Sequence, residues 1–216
     1  MSMRYLESLN TALHDLMKDD ERVVLIGEDL LDPYGGAFKV SKGLSSAYPD
    51  RVLSTPISEA GFTGAAIGMA MNGFRPIVEI MFGDFMALAM DQIVNQAAKI
   101  HYMFGGQANF PILYRASVSG GGRAAAQHSQ SPYSMFMNVA GLKITLASTP
   151  YDLKGLLKTA IRDNNPVISF ESNRLYPMKG EVPEEDYTIP FGKADIKREG
   201  ADVTIVALAY QVHEAL

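Results

Sequence analysis

Short apolar runs alternate with helical stretches along most of this chain, and that alternation restricts the fold more than any other feature. Val23-Val-Leu-Ile26 is a run of apolar residues ended by Gly27. It is too short for a helix and rich in β-branched side chains, so it reads as a buried strand. Arg51-Val-Leu-Ser54, Pro76-Ile-Val-Glu-Ile-Met-Phe82, Ile112-Leu-Tyr-Arg115, Leu142-Lys-Ile-Thr-Leu-Ala147 and Val167-Ile-Ser-Phe170 read the same way. Leu6, Leu9, Leu13, Leu16 and Met17 recur at helical spacing and predict a helix over 3–18. Residues 59–73, residues 84–100, and the stretch from Thr149-Pro150 to about Arg162 predict three more, the last with proline in its favoured first turn. Alternation of this kind builds βαβ units. It predicts an α/β fold of three layers, a mostly parallel sheet with helices on both faces. Such sheets bind ligands beyond the carboxyl ends of their strands, so functional residues belong just after strands.

Past residue 172 the texture changes. Residues 174–200 carry Pro177, Pro183 and Pro190 with Glu184-Glu-Asp186, and 176–200 reads as an extended linker. Ala201-Asp-Val-Thr-Ile-Val-Ala-Leu-Ala-Tyr210 predicts a new strand, and Val212 to Leu216 the first turn of a helix. One strand and half a helix cannot bury their apolar faces. Residues 1–175 are therefore expected to form one complete domain, and 201–216 the opening of a second. Hydrophobic residues make up 47% of the chain and charged ones 20%, enough for a sizeable core. A net charge of -5 gives no electrostatic basis for binding nucleic acid or an anionic membrane. The absence of cysteine excludes disulfides and thiolate chemistry. The N-terminal stretch has neither an apolar core nor Arg/Ser-rich transit character. No apolar window is long enough for a membrane span. A cytoplasmic protein is expected.

Five stretches are candidates for chemistry. Between Ser54 and Gly73 the only charged residue is Glu59, and the rest is small, apolar or hydroxylic. Glu59 is either a first-turn acid stabilised by the helix dipole or a desolvated carboxyl that donates and accepts protons. His128 follows the glycine triplet 120–122, as a satisfied surface histidine or as an acid/base on an active-site loop. Met81 to Phe85 lie at a strand's carboxyl end, in the core or under a ligand ring. Gly83-Asp84, with Asn109 further on, is faintly similar to the Gly-Asp-Gly…Asn pattern that holds Mg²⁺ and diphosphate in thiamine enzymes. Phe85 stands where the second glycine belongs, and Asp84 also reads as a helix N-cap. The helix end around 159–165 exposes carbonyls that suit a hard cation or simply terminate the helix. Outside these five, Glu28-Asp29 follows a strand and reads as a solvated turn. No Walker loop, dinucleotide fingerprint, Ser-His-Asp cue or zinc spacing is present.

Six stretches together resemble one family. They are Gly27-Glu-Asp29 with Tyr34-Gly-Gly-Ala-Phe-Lys-Val-Ser-Lys-Gly43, Thr55-Pro-Ile-Ser-Glu-Ala-Gly-Phe62, Asp91-Gln-Ile-Val-Asn-Gln-Ala-Ala-Lys99, Ala126-Gln-His-Ser-Gln130 and Ala160-Ile-Arg-Asp-Asn-Asn-Pro166. The family is the beta subunit of the thiamine-diphosphate-dependent decarboxylase of 2-oxoacid dehydrogenase complexes, of pyruvate, branched-chain or acetoin type. The resemblance implies a pyrimidine-binding domain followed by the start of a transketolase-type C-terminal domain. It implies oxidative decarboxylation of a 2-oxoacid with acyl transfer to lipoyl. It places Glu59 on N1′ of the cofactor's aminopyrimidine, where it favours the imino tautomer that takes the proton from C2. Phe85 would stack on the pyrimidine, with Ile57 and Met81 lining its pocket. His128 would assist at the reacting centre, and Glu28 would lie on the path between paired cofactor sites. Ile112, Ala160, Ile161, Asp163 and Asn165 would form a potassium site built largely from carbonyls. An alpha subunit would hold Mg²⁺ and the diphosphate in an α₂β₂ assembly, with a lipoyl-bearing acyltransferase core as a further partner. A transketolase or deoxyxylulose-phosphate-synthase fragment, or a non-catalytic scaffold subunit on the same fold, are the competing readings.

Overall fold

The computed structural model describes residues 1–120 and 122–216; Gly121 of the glycine triplet lies outside them. β1 (Ser2–Arg4) leads into α1 (Tyr5–Asp19), whose start is fixed by the Arg4 N–H donating to Glu7 Oε2 at 2.8 Å. Leu9, Leu13, Leu16 and Met17 form its buried stripe. Then come β2 (Val23–Glu28), α2 (Leu44–Ala47), β3 (Val52–Thr55), α3 (Glu59–Met71) and β4 (Arg75–Phe82). The second half holds α4 (Ile100–Met103), β5 (Leu113–Val118), α5 (Tyr133–Met137), β6 (Lys143–Leu146), α6 (Pro150–Arg162), β7 (Val167–Ser172), β8 (Lys179–Glu181) and α7 (Gln211–Ala215). Six strands form one sheet in the order β3-β2-β4-β5-β7-β6, every neighbouring pair parallel. The α/β architecture read from the sequence is the one found.

The period of two along each strand divides the core. Leu25, Ile77, Leu113 and Val167 pack toward α1 and α6. Ile26, Val78, Tyr114 and Ile168 pack with α3 and the 83–97 segment on the other face. Both faces are covered, so β2, β5 and β7 are buried at every position. α6 starts where expected. Thr149 Oγ1 accepts from the Asp152 N–H at 3.0 Å, and Pro150 occupies the first turn.

The structure departs from the sequence reading in three places. The single helix expected over 84–100 is a 3₁₀ stretch (Gly83–Ala89), a π stretch (Gln92–Ala97) and then α4. The chain leaves β4 pressed against the end of β5: a Cβ on Gly83 would lie 2.8 Å from Val118 Cγ1. That crowding forces a tight turn, and the wider π winding then restores the phase. Met86 and Ala89 face the core at a spacing of three, Ile93 and Ala97 at a spacing of four. Second, the strand expected over 201–210 does not form. Val203, Ile205 and Val206 are exposed, and no strand pairs with them. A strand is its ladder, and here none is offered. Only the helical turn α7 matches. Third, the segment read as a linker is extended but tied down. β8 pairs antiparallel with β1, Met3 opposite Gly180. Tyr187 stacks on Tyr151 at 4.7 Å, and Thr159 Oγ1 donates to the Ile189 carbonyl at 2.7 Å.

An ion cluster ties the middle strands together. Arg115 on β5 donates to Glu79 on β4 and, through two nitrogens, to Glu171 on β7. All three are buried. Burial outweighs the guanidinium's pull and holds the Glu79 carboxyl above its ordinary range.

Candidate active site

The sheet order places a crevice where it is needed. From β2 the chain crosses to β3 on one side, and from β4 it crosses to β5 on the other. The carboxyl ends of β2 and β4 thus flank a topological switch point, where open α/β sheets bind ligands.

Glu28 is the last residue of β2 and pairs in register with Thr55 at the end of β3. Four residues on, Glu59 opens α3. Both carboxyls are buried, Glu28 at 8% exposure and Glu59 at 6%. Burial, then the charges of Glu59 and Asp29, push the Glu28 carboxyl above its ordinary range. Glu28 Oε1 is buried with no hydrogen-bond partner. Glu28 is therefore not the solvated turn acid that its sequence also allowed. No hydrogen bond engages the Glu59 side chain among the described residues. Ile57, between them, is 81% exposed.

Beyond β4 and β5 the chain gathers aromatic rings. Met81 sits at an irregularity in the β4–β5 ladder, where register shifts between Ile80 and Phe82. The His128 ring meets Phe82 edge-on at 4.4 Å and Phe85 at 5.2 Å. Phe38, from the loop after β2, meets Phe82 edge-on at 5.4 Å. Glu28, Ile57, Glu59, Met81, Phe85 and His128 thus lie on one edge of the sheet. Phe82 lies within the 81–85 stretch that the sequence singled out, whereas Phe38 is an addition to which the sequence reading gave no role. Asp84 is no N-cap. It lies inside the 3₁₀ stretch, and its Oδ1 accepts from Gln130 Nε2 at 2.8 Å. Asn109 precedes β5, on the opposite edge from Asp84, so the two do not form one site.

The proposed potassium ligands gather on that opposite edge. The Phe110 N–H donates to the Asn164 carbonyl at 3.0 Å, and the Val167 N–H to the Ile112 carbonyl at 2.9 Å. These bonds bring Ile112 beside the end of α6, where Ala160, Ile161, Asp163 and Asn165 lie. Arg75 Nη1 already donates to the carbonyls of Ile161 (2.8 Å) and Asp163 (3.2 Å). The Asp163 carboxylate takes Lys143 and the Asn165 amide; these donors hold it below its ordinary range against the opposing cost of its burial.

The transketolase pyrimidine-binding domain matches residues 1–179. The chain belongs to that family. Beta subunits of several enzymes are among its relatives. It is 52% identical over 222 residues to the acetoin:2,6-dichlorophenolindophenol oxidoreductase subunit beta of Bacillus subtilis, covering 97% of this chain and 65% of that protein. It is 47% identical to the 2-oxoisovalerate dehydrogenase subunit beta of the same organism, over 99% of this chain and 66% of that one. It is 47% identical to the pyruvate dehydrogenase E1 component subunit beta of Rickettsia felis, over 100% of this chain and 66% of that one. The chain thus spans about 65% of the length of the curated relatives it matches. Among solved structures, a split-gene transketolase described as an inactive beta4 tetramer superposes with a TM-score of 0.79 at 22% identity. That match covers 99% of this chain and 65% of the other and shows a shared fold.

Proposed function

We propose that this pyrimidine-binding domain works in the beta subunit of a thiamine-diphosphate-dependent 2-oxoacid dehydrogenase, decarboxylating a 2-oxoacid and passing the acyl group to lipoyl. The observation that carries the reading is Glu59: a buried residue at a helix start, at the switch-point edge, whose carboxyl takes no hydrogen bond among the described residues. The residues present fit an aminopyrimidine. Such a ring offers N–H donors and a basic nitrogen; Glu28 Oε1 is a buried acceptor without a donor, and the Glu59 carboxyl takes no hydrogen bond among the described residues. Phe85 and Met81 supply faces for its plane, and the exposed Ile57 waits for an apolar contact. When bound, thiamine diphosphate would supply the electron sink for decarboxylation.

The chain's own groups hold and move protons. Glu59, fixed in the first turn of α3, would hold the proton shared with the ring nitrogen N1′. Burial, then the neighbouring charges of Glu59 and Asp29, favour the protonated form of Glu28. His128, on a loop beside the rings, is placed to exchange a proton at the substrate-derived group. In this reading Mg²⁺ and the diphosphate belong to an alpha subunit in an α₂β₂ enzyme, a lipoyl-bearing core takes the product, and the setting is cytoplasmic. Potassium at the end of α6 is a weaker proposal: an ion there would share the Ile161 and Asp163 carbonyls with Arg75. No step depends on it.

Calorimetric titration of Mg²⁺ and thiamine diphosphate, into this chain alone and mixed with an alpha subunit, tests the reading. Binding in the mixture only is the expected result. Tight binding by the chain alone would mean that it carries a diphosphate site of its own, and would contradict the half-site.

A further inference from the structure

The loop that carries His128 is held to the body of the domain at few points. Among the described residues, no hydrogen bond engages the His128 ring; its contacts are the edges of Phe82 and Phe85. Within the loop, Ser129 Oγ accepts from the Ala124 N–H at 2.8 Å, and the Gly122 N–H donates to the Ser119 carbonyl. At its root Asn173 donates to Ser119. Arg123 and Ala125 take positive φ angles of 56° and 64°, a conformation that costs side-chain-bearing residues energy and needs outside support. Among the described residues, the side-chain hydrogen bond that reaches from 122–131 to the turn after β4 is Gln130 Nε2 to Asp84 Oδ1, at 2.8 Å. Asp84 Oδ2 is buried without a partner, so Gln130 is this carboxylate's one hydrogen-bond donor among the described residues. Breaking that bond would leave the Asp84 side chain with no donor at all among the described residues, which costs more than an ordinary exchange of partners with water. The rings come from the same turn, since Phe82, Asp84 and Phe85 are near neighbours in sequence. One turn therefore fixes the plane of the imidazole and the strand of loop two residues beyond it.

We propose that Asp84 is the positioning residue for His128, acting through Gln130: it latches the loop so that the imidazole stands over the aromatic turn at the cofactor edge. The role assigned to His128 rests on the proposed function. The latch itself does not.

Two readouts separate them. Arg123 is exposed and offers trypsin a cleavage site inside the loop. In the full chain, Asp84→Ala and Gln130→Leu should each speed cleavage after Arg123 by roughly tenfold, as loss of one hydrogen bond does to an opening equilibrium. Asp84→Asn keeps an acceptor oxygen and should stay close to wild type. The double variant Asp84→Ala/Gln130→Leu should be no faster than either single one, because both remove the same bond. In the enzyme assembled with its alpha subunit, Asp84→Ala and Gln130→Leu should lower kcat by roughly tenfold to a hundredfold, with KM little changed and Asp84→Asn restoring most of the rate. Gln130 is on the surface, so its variant folds even if Asp84→Ala does not. Unchanged cleavage in Gln130→Leu, additive effects in the double variant, or an Asp84→Asn as impaired as Asp84→Ala would each overturn the latch. Faster cleavage with unchanged turnover would uphold the latch and overturn its service to His128. An assembled wild type with no activity at all would instead count against the proposed function.

Discussion

Two buried carboxyls at the end of β2 and the start of α3 set the behaviour of the site. Glu28 is pushed above its ordinary range by burial and by Glu59. A carboxyl raised on folding stabilises the fold below its unfolded value near pH 4.5, and that contribution is lost as pH rises through its folded value. Glu28→Gln should therefore unfold at higher denaturant than wild type at pH 7, and the gap should close as the pH falls to about 4.5. Urea melts at the two pH values measure it, and a variant less stable at pH 7 would contradict the burial account. The residues differ in how far the sequence reveals them. Glu59 stands out because it is the lone charge among small residues. Glu28 looks like a turn acid, since nothing local says that β3 and the start of α3 will cover it. Asp84 looks like a helix cap because the helix it would cap is replaced by a 3₁₀ turn. Its partner Gln130 lies 46 residues away, beyond any local pattern.

Strands and helices were legible wherever the local period and the tertiary environment agree. The apolar runs of β2, β5 and β7 and the stripes of α1 and α6 needed no context. β1 and β8 escaped because strands of three residues have no period, and each exists only through the other. The 201–210 run failed for the opposite reason: its composition is that of a strand, but it has no neighbour. Two tests belong at this scale. Arg115→Met leaves Glu79 and Glu171 buried without their cation and should cost about 3–5 kcal/mol in urea unfolding. A change below about 1 kcal/mol would mean that the carboxyls relax by protonation. Gly155→Ala puts a Cβ 2.7 Å from Ile189 Cγ1 and 2.8 Å from Tyr187 Cε2. It should loosen the 187–191 strap at a cost of about 1–3 kcal/mol. Hydrogen exchange at the Ile189 amide, which donates to the Gly155 carbonyl at 3.3 Å, should then accelerate.

The whole domain keeps two edges with different tasks. The amino edge holds the end of α6 and Arg75. If potassium contributes there, KCl should raise the melting temperature above that in choline chloride at equal ionic strength, and equal curves would leave Arg75 as the cation of that helix end. The carboxyl edge holds every residue assigned to proton transfer. No helix among the described residues is long and apolar enough to cross a membrane. The central claim is that Glu59 activates the cofactor. The measurement that tests it most directly is hydrogen–deuterium exchange at C2 of thiamine diphosphate, followed by quenched-flow NMR in the enzyme assembled with its alpha subunit. Glu59→Gln should slow that exchange by at least about a hundredfold while the cofactor stays bound, the range expected for losing a positioned acid–base group. Exchange as fast in Glu59→Gln as in wild type would contradict the account.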